Sequence, residues 1–145
     1  ALRCACMSLA GDPVVEALAS ALGPQTFRVA DEHRVAYHAS AAIAANHLVA
    51  LLGQAERVAG GAGVPTEAIM SLAEGALAGA ARVGTAEALT GPVARGDWPT
   101  VAAHLAALAP DERPAYEALA RQALRLAWPT IRAATDEGSA PPWRS

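Results

Sequence analysis

Residues 89–97, LTGPVARGD, concentrate more chemistry than any other nine positions of this 145-residue chain. They hold a hydroxyl at Thr90, two glycines, a proline, a guanidinium at Arg95 and a carboxylate at Asp97. Gly91 lets backbone approach a ligand closely, and Pro92 stiffens the turn. Thr90 and the amides beside Gly91 suit an oxyanion, and the forked donors of Arg95 suit a carboxylate or phosphate. Thr90, Gly91 and Arg95 are therefore candidate binding residues for a small anionic substrate. The same segment also reads as a stiff loop in which Arg95 pairs with Asp97 and Asp97 caps the next helix. The two readings are compatible, because Asp97 can cap while Arg95 binds.

A second candidate pair, His38 and Asn46, lies in the apolar stretch 36–52, AYHASAAIAANHLVALL. Eight residues apart on an α-helix, the two project within about 80° of each other and roughly 12 Å apart along the axis. A polar side chain on an apolar helix needs a partner. Either each makes a structural hydrogen bond, or both line a cleft. His47 points away from His38, and His33 and His104 read as surface residues. Other chemistries find no support. There is no GxGxxG and no Walker loop, so the chain has no phosphate cradle of its own. The serines stand in no nucleophile-elbow context. Cys4 and Cys6 lack a second ligand pair for zinc and read as two buried thiols on an inner strand. Glu56, Glu67 and Glu74 read as solvated helix faces, and no metal set is visible.

The elements that must position these residues are mostly helical. Hydrophobic residues make up 53% of the chain and aromatics only 4%. Much of the apolar content is Ala, the best helix former, which points to closely packed helices. Residues 3–10 read as a short strand, Pro13 opens a helix with apolar positions Val14, Val15, Leu18 and Leu22, and residues 25–30 read as a second strand. This β-α-β unit, residues 1–30, has the length of a parallel crossover and looks like part of a larger α/β domain, which the resemblance described below identifies with the end of a Rossmann-like domain. A helical bundle of about five helices follows over residues 31–135, with a disordered tail over 136–145. Its first helix, capped by Asp31 and about 28 residues long, is apolar all round at its centre, so it should be buried, with one face covered by a second subunit. Further helices are expected from Thr66 to Val83, with Ala76, Gly79 and Ala80 as a smooth packing face, from Trp98 to Leu108, and from an Asp111 cap to Ala134 with a kink or stop at Pro129. The net charge of −3 and scattered arginines give no basic stripe, which argues against nucleic acid and anionic membrane as partners. The apolar run 39–52 is too short for a bilayer and is interrupted by Asn46 and His47, so the sequence reads as a soluble cytoplasmic protein.

Taken together, residues 36–52 and ALTGPVARGDWPTVAAHLAAL, 88–108, resemble the C-terminal domain of the Rossmann-like proteins that carry the domain of unknown function 2520. Tyr37-His38, Asn46, the LTGP-x-x-RGD run and the later Tyr116 carry the resemblance, which spans about residues 30–127. Such proteins are similar to the 6-phosphogluconate dehydrogenase C-terminal-like group, with pyrroline-5-carboxylate and ketopantoate reductases. The resemblance implies a Rossmann domain binding NADP or NAD in the intact protein, followed by a helical domain that forms a homodimer and completes the substrate site. No cofactor is expected on this chain alone, and the intact protein would be an NAD(P)-dependent oxidoreductase. In that setting His38 is the candidate catalytic proton donor to a carbonyl or imine, and Asn46, Thr90, Gly91 and Arg95 bind substrate. The chain has no lysine, the residue several relatives use. The alternative is a non-catalytic helical dimerisation or regulatory module.

Overall fold

The computed structural model describes residues 6–9, 13–22, 25–134 and 141. Cys4 and nearly all of the expected tail lie outside them. The fold is mainly α, as the composition requires. The chain forms two compact units, Ala1–Leu51 and Leu52–Ser145.

The first unit opens with β1 (Cys6–Leu9), α1 (Pro13–Leu22) and β2 (Gln25–Arg28). The strands pair in parallel, with Cys6 opposite Gln25 and Leu9 opposite Arg28. This is the expected crossover. Among the described residues of this crossover only Leu9 and Ala19 are buried, while Val14, Val15 and Leu18 stay exposed. A two-stranded sheet is too narrow to cover the whole apolar face of a helix.

A helical run then extends from Asp31 to Gly61. It begins as a 3-10 turn, Asp31–His33, and becomes α2 (Arg34–Ala42). A π-helical turn follows over Ile43–His47, and then α3 (Leu48–Gly61). Asp31 does not cap this run with its side chain. It pairs instead with Arg34 at 2.9 Å, one turn on. The run ends where Gly63 takes φ +73°. There the Val64 amide donates to Ala59 and the Gly63 amide to Gly60, a Schellman closure that only a residue tolerant of positive φ makes easily. The expected burial of the apolar centre of this helix is not seen among the described residues, where no position over 31–53 is buried. Its most apolar 18-residue window is 0% buried, although it has the length and composition to cross a membrane.

The second unit adds α4 (Thr66–Val83), the short α5 (Thr85–Ala88) and α6 (Pro92–Arg95), α7 (Trp98–Ala107) and α8 (Arg113–Ala134). The smooth face on α4 is used, since a Cβ added at Gly79 would lie 3.7 Å from the Ala88 Cβ. The core gathers Val93, Trp98, Val101 and Ala120, with Leu105, Tyr116, Ala123 and Leu124 packed against it. Glu112, not Asp111, stands immediately before α8. The Glu112 carboxylate takes a two-point contact from Arg57, with Nε at 2.6 Å and Nη2 at 3.1 Å. The buried Gln54 donates to the Glu112 carbonyl at 2.8 Å, so α3 is tied to the head of α8 twice. Pro129 does not end α8, which continues to Ala134. A proline removes one amide donor from a helix, and the long turns on its N-terminal side hold the register. Val101 has no exposed surface and sits at the centre of this core. Val101→Ala is expected to lower unfolding free energy by about 2 kcal/mol, read by urea denaturation. An unchanged midpoint would show that the core closes over the lost methyls.

Candidate functional site

The LTGPVARGD segment is built from its apolar members outward. Val93 and Trp98 are both buried in the core of the second unit, so the segment is pinned at two points. Between them the chain makes one helical turn, α6, and reverses at Gly96, whose φ is +67°. The Gly96 amide donates to Val93 at 3.2 Å and the Asp97 amide to Pro92 at 2.9 Å, the paired closure of a Schellman motif. Gly91 enters the turn at φ +94°, a conformation that a side chain would strain. The glycines thus serve the turn itself.

Asp97 is consumed by its own helix. Its carboxylate accepts from the Thr100 amide at 3.2 Å and from the Thr100 hydroxyl at 2.7 Å, capping α7. These two hydrogen bonds hold the carboxyl below its ordinary pKa, with a smaller contribution from the positive field of Arg95. Arg95 is exposed, and no carboxylate among the described residues lies within ion-pair distance of it. The segment therefore caps with Asp97 and leaves the Arg95 guanidinium available. Thr90, five residues earlier, is exposed as well.

His38 and Asn46 lie in the first unit, both exposed. The edge-to-face contact of Tyr37 with Phe27, 5.6 Å between ring centres, ties α2 to β2 next to His38. Asn46 falls inside the π-helical turn Ile43–His47. A π turn accommodates one extra residue, so eight residues here span little more than seven α-helical steps. The offset between His38 and Asn46 then drops from about 80° to roughly 20–30°. The two side chains share one face of the helix more closely than straight α-helical counting gives. The π turn, a feature often found at functional sites, leaves no clear mark in the residue types IAANH.

The family model described as a domain of unknown function, DUF2520, matches residues 7–123. The chain belongs to the DUF2520 family. Its fold is shared with the crystal structure of a "putative NADP oxidoreductase" from Bacteroides fragilis, with a TM-score of 0.67 at 24% sequence identity. That likeness covers 77% of this chain and 44% of the other, so this DUF2520 chain spans less than half the length of that protein. Comparison with curated proteins gives no match.

One polar pair of the DUF2520 chain escaped the sequence reading. His104 Nδ1 and Tyr116 Oη share a hydrogen bond of 2.8 Å across α7 and α8, with the rings edge to face at 5.9 Å. Burial pushes the Tyr116 phenol up, so it keeps its proton at neutral pH. The available signal was positional. His104 lies two helical turns beyond the Asp97 cap, and Tyr116 follows the short connection to α8.

The Asp97 cap generates a pH prediction. A carboxyl held low in the folded state stabilises it above the ordinary carboxylate pKa, and this is lost as pH falls through the folded value. Asp97→Ala should lower Tm by roughly 2–4 °C at pH 7, as loss of a helix cap does in a chain of this size. The gap from wild type should narrow below the ordinary carboxylate range. A gap independent of pH, followed by circular dichroism from pH 7 to pH 2.5, would show that the Asp97 charge is not what holds the cap.

Proposed function

We propose that this chain is the substrate-binding and dimerisation half of an NAD(P)-dependent oxidoreductase. The observation that carries the reading is the shared fold with a Bacteroides fragilis protein described as an NADP oxidoreductase, over 77% of this chain. The residues present here do not fit a dinucleotide. The connection from β1 to α1 reads Ala-Gly-Asp, and α1 opens on Pro13, which has no amide hydrogen. A pyrophosphate cradle needs free amides at a helix start and no adjoining carboxylate. NADP or NAD would therefore bind to the part of the intact protein that this chain does not span.

In this reading the second unit supplies Arg95 to hold an anionic group of the substrate, with Thr90 and the backbone at Gly91 beside it. Asn46 would bind a further polar group. His38 would supply the proton that a carbonyl oxygen or imine nitrogen takes up on reduction. Two chains would associate as a homodimer through the exposed apolar part of the helix Asp31–Gly61, before Gln54. We read that helix as a subunit contact rather than a membrane span, because Asn46 and His47 stand near its middle, where hydrocarbon offers them no partner. The protein would then work in the cytoplasm.

Calorimetric titration tests the division of labour. NADPH should bind to the intact protein and give no heat with the 145-residue chain. Micromolar binding to the chain alone would defeat the proposal. In the intact protein, NADPH oxidation would be followed with a panel of 2-oxo acids and cyclic imino acids. Arg95→Ala should lower kcat/KM by roughly 10- to 150-fold, the range for losing a hydrogen bond to a charged group. His38→Ala should act mainly on kcat. Full activity in both variants would leave this half a scaffold.

A further inference from the structure

An open groove of about 610 Å³ is lined by residues of the second unit alone. Small-molecule sites usually enclose roughly 300–1,000 Å³. One wall is a face of α4, on which Ser71, Gly75, Gly79 and Arg82 follow one another three or four residues apart. The other wall is the segment after α4. Gly84 turns the chain at φ +88°, and Ala88 then packs at Gly79, where an added Cβ would lie 3.7 Å from the Ala88 Cβ. That packing brings Glu87 and Thr90 to the groove that Arg82 lines, whereas Arg95 does not line it.

Two opposite charges share this groove without pairing. Arg82 and Glu87 are both exposed, and neither has an ion-pair or hydrogen-bond partner for its side chain among the described residues. A ligand that carries a carboxylate and an ammonium group meets both at once. The guanidinium fork matches a carboxylate, and the Glu87 carboxylate accepts from an ammonium. The Thr90 hydroxyl stands on the same groove and can donate or accept. Ser71 precedes Arg82 by three helical turns, about 16 Å along the axis, so one small molecule does not touch both. The lining next to Arg82 is apolar at Val83 and Ala88, which suits a short aliphatic side chain.

We propose that this groove binds an aliphatic amino acid, with Arg82 on its carboxylate, Glu87 on its ammonium group and Thr90 beside them. This names a substrate class for the half of the protein read above as substrate-binding, and it rests on that reading. It makes Arg82 and Glu87 specificity-determining residues. A plain carboxylate held by Arg82 would face the Glu87 charge with nothing to offset the repulsion, so Glu87 selects amino acids over simple acids.

NMR titration of the intact protein, without cofactor, tests this with three probes of one shape. L-valine carries both charges, isovalerate lacks the ammonium group and isobutylamine lacks the carboxylate. Valine should bind, and each of the other two should bind weaker by roughly tenfold or more. Arg82→Gln should weaken valine binding roughly 10- to 150-fold, the range for a hydrogen bond to a charged group. Glu87→Gln should weaken valine binding and leave that of isovalerate no weaker. Both side chains are exposed, so both variants should keep the wild-type Tm, which separates lost binding from lost folding. A wild type that does not bind valine, or that binds isovalerate as tightly, overturns the amino acid. Valine binding that Arg82→Gln leaves unchanged overturns the groove. Turnover of NADPH separates this inference from the reading beneath it. Activity that survives Arg82→Gln and falls with Arg95→Ala keeps the substrate-binding half and removes the groove. Valine binding through Arg82 without NADPH oxidation on any oxo or imino acid keeps the groove and removes the oxidoreductase.

Discussion

An uncharged helix has to be covered, and most of what is distinctive in this DUF2520 chain follows from that constraint. Residues 35–55 contain no formal charge, yet the most apolar window of the helix is 0% buried by the chain. Soluble monomers rarely show contiguous apolar patches beyond a few hundred Å². A helix of this length shows apolar side chains on every side, with Val35, Ile43 and Val49 all largely exposed. Such a surface is stable in water only when something packs on it. His38 and Asn46 are both exposed on this helix among the described residues.

The second unit solves the opposite problem. Its polar segment is held in place by apolar contacts made within a few residues of the chemistry. Val93 and Trp98 enter the core on either side of Arg95, and the Schellman closure at Gly96 sets the turn between them. Because the Asp97 carboxylate accepts from Thr100, its oxygens are occupied by hydrogen bonds rather than by an ion pair with Arg95. The guanidinium is left exposed on a rigid base, which is the condition for recognising an anion without a large ordering cost.

Much of this could be read from the residues. The β-α-β crossover, the long helix, the α4 helix with its smooth face and the Asp97 cap all depend on local rules of periodicity, capping and turn chemistry, and those rules act over a few residues. The misses share a cause. Asp31 was expected to cap and instead pairs with Arg34, because a carboxylate at a helix start can serve either partner at similar cost. Asp111 was expected to cap α8, whereas Glu112 stands before it and is held by Arg57 from 55 positions away. The His104–Tyr116 bond and the π turn around Asn46 are likewise matters of packing. No periodicity announces a hydrogen bond between two helices, or a turn that closes one residue late.

The π turn also bears on how the two candidate groups are related. A regular α-helix would place His38 and Asn46 on neighbouring faces, so one ligand would reach both only with difficulty. One extra residue in the turn offsets most of that angle while both remain on one continuous helix. A helix-borne pair is more rigid than the same two residues on a loop, and rigidity is what positioning requires.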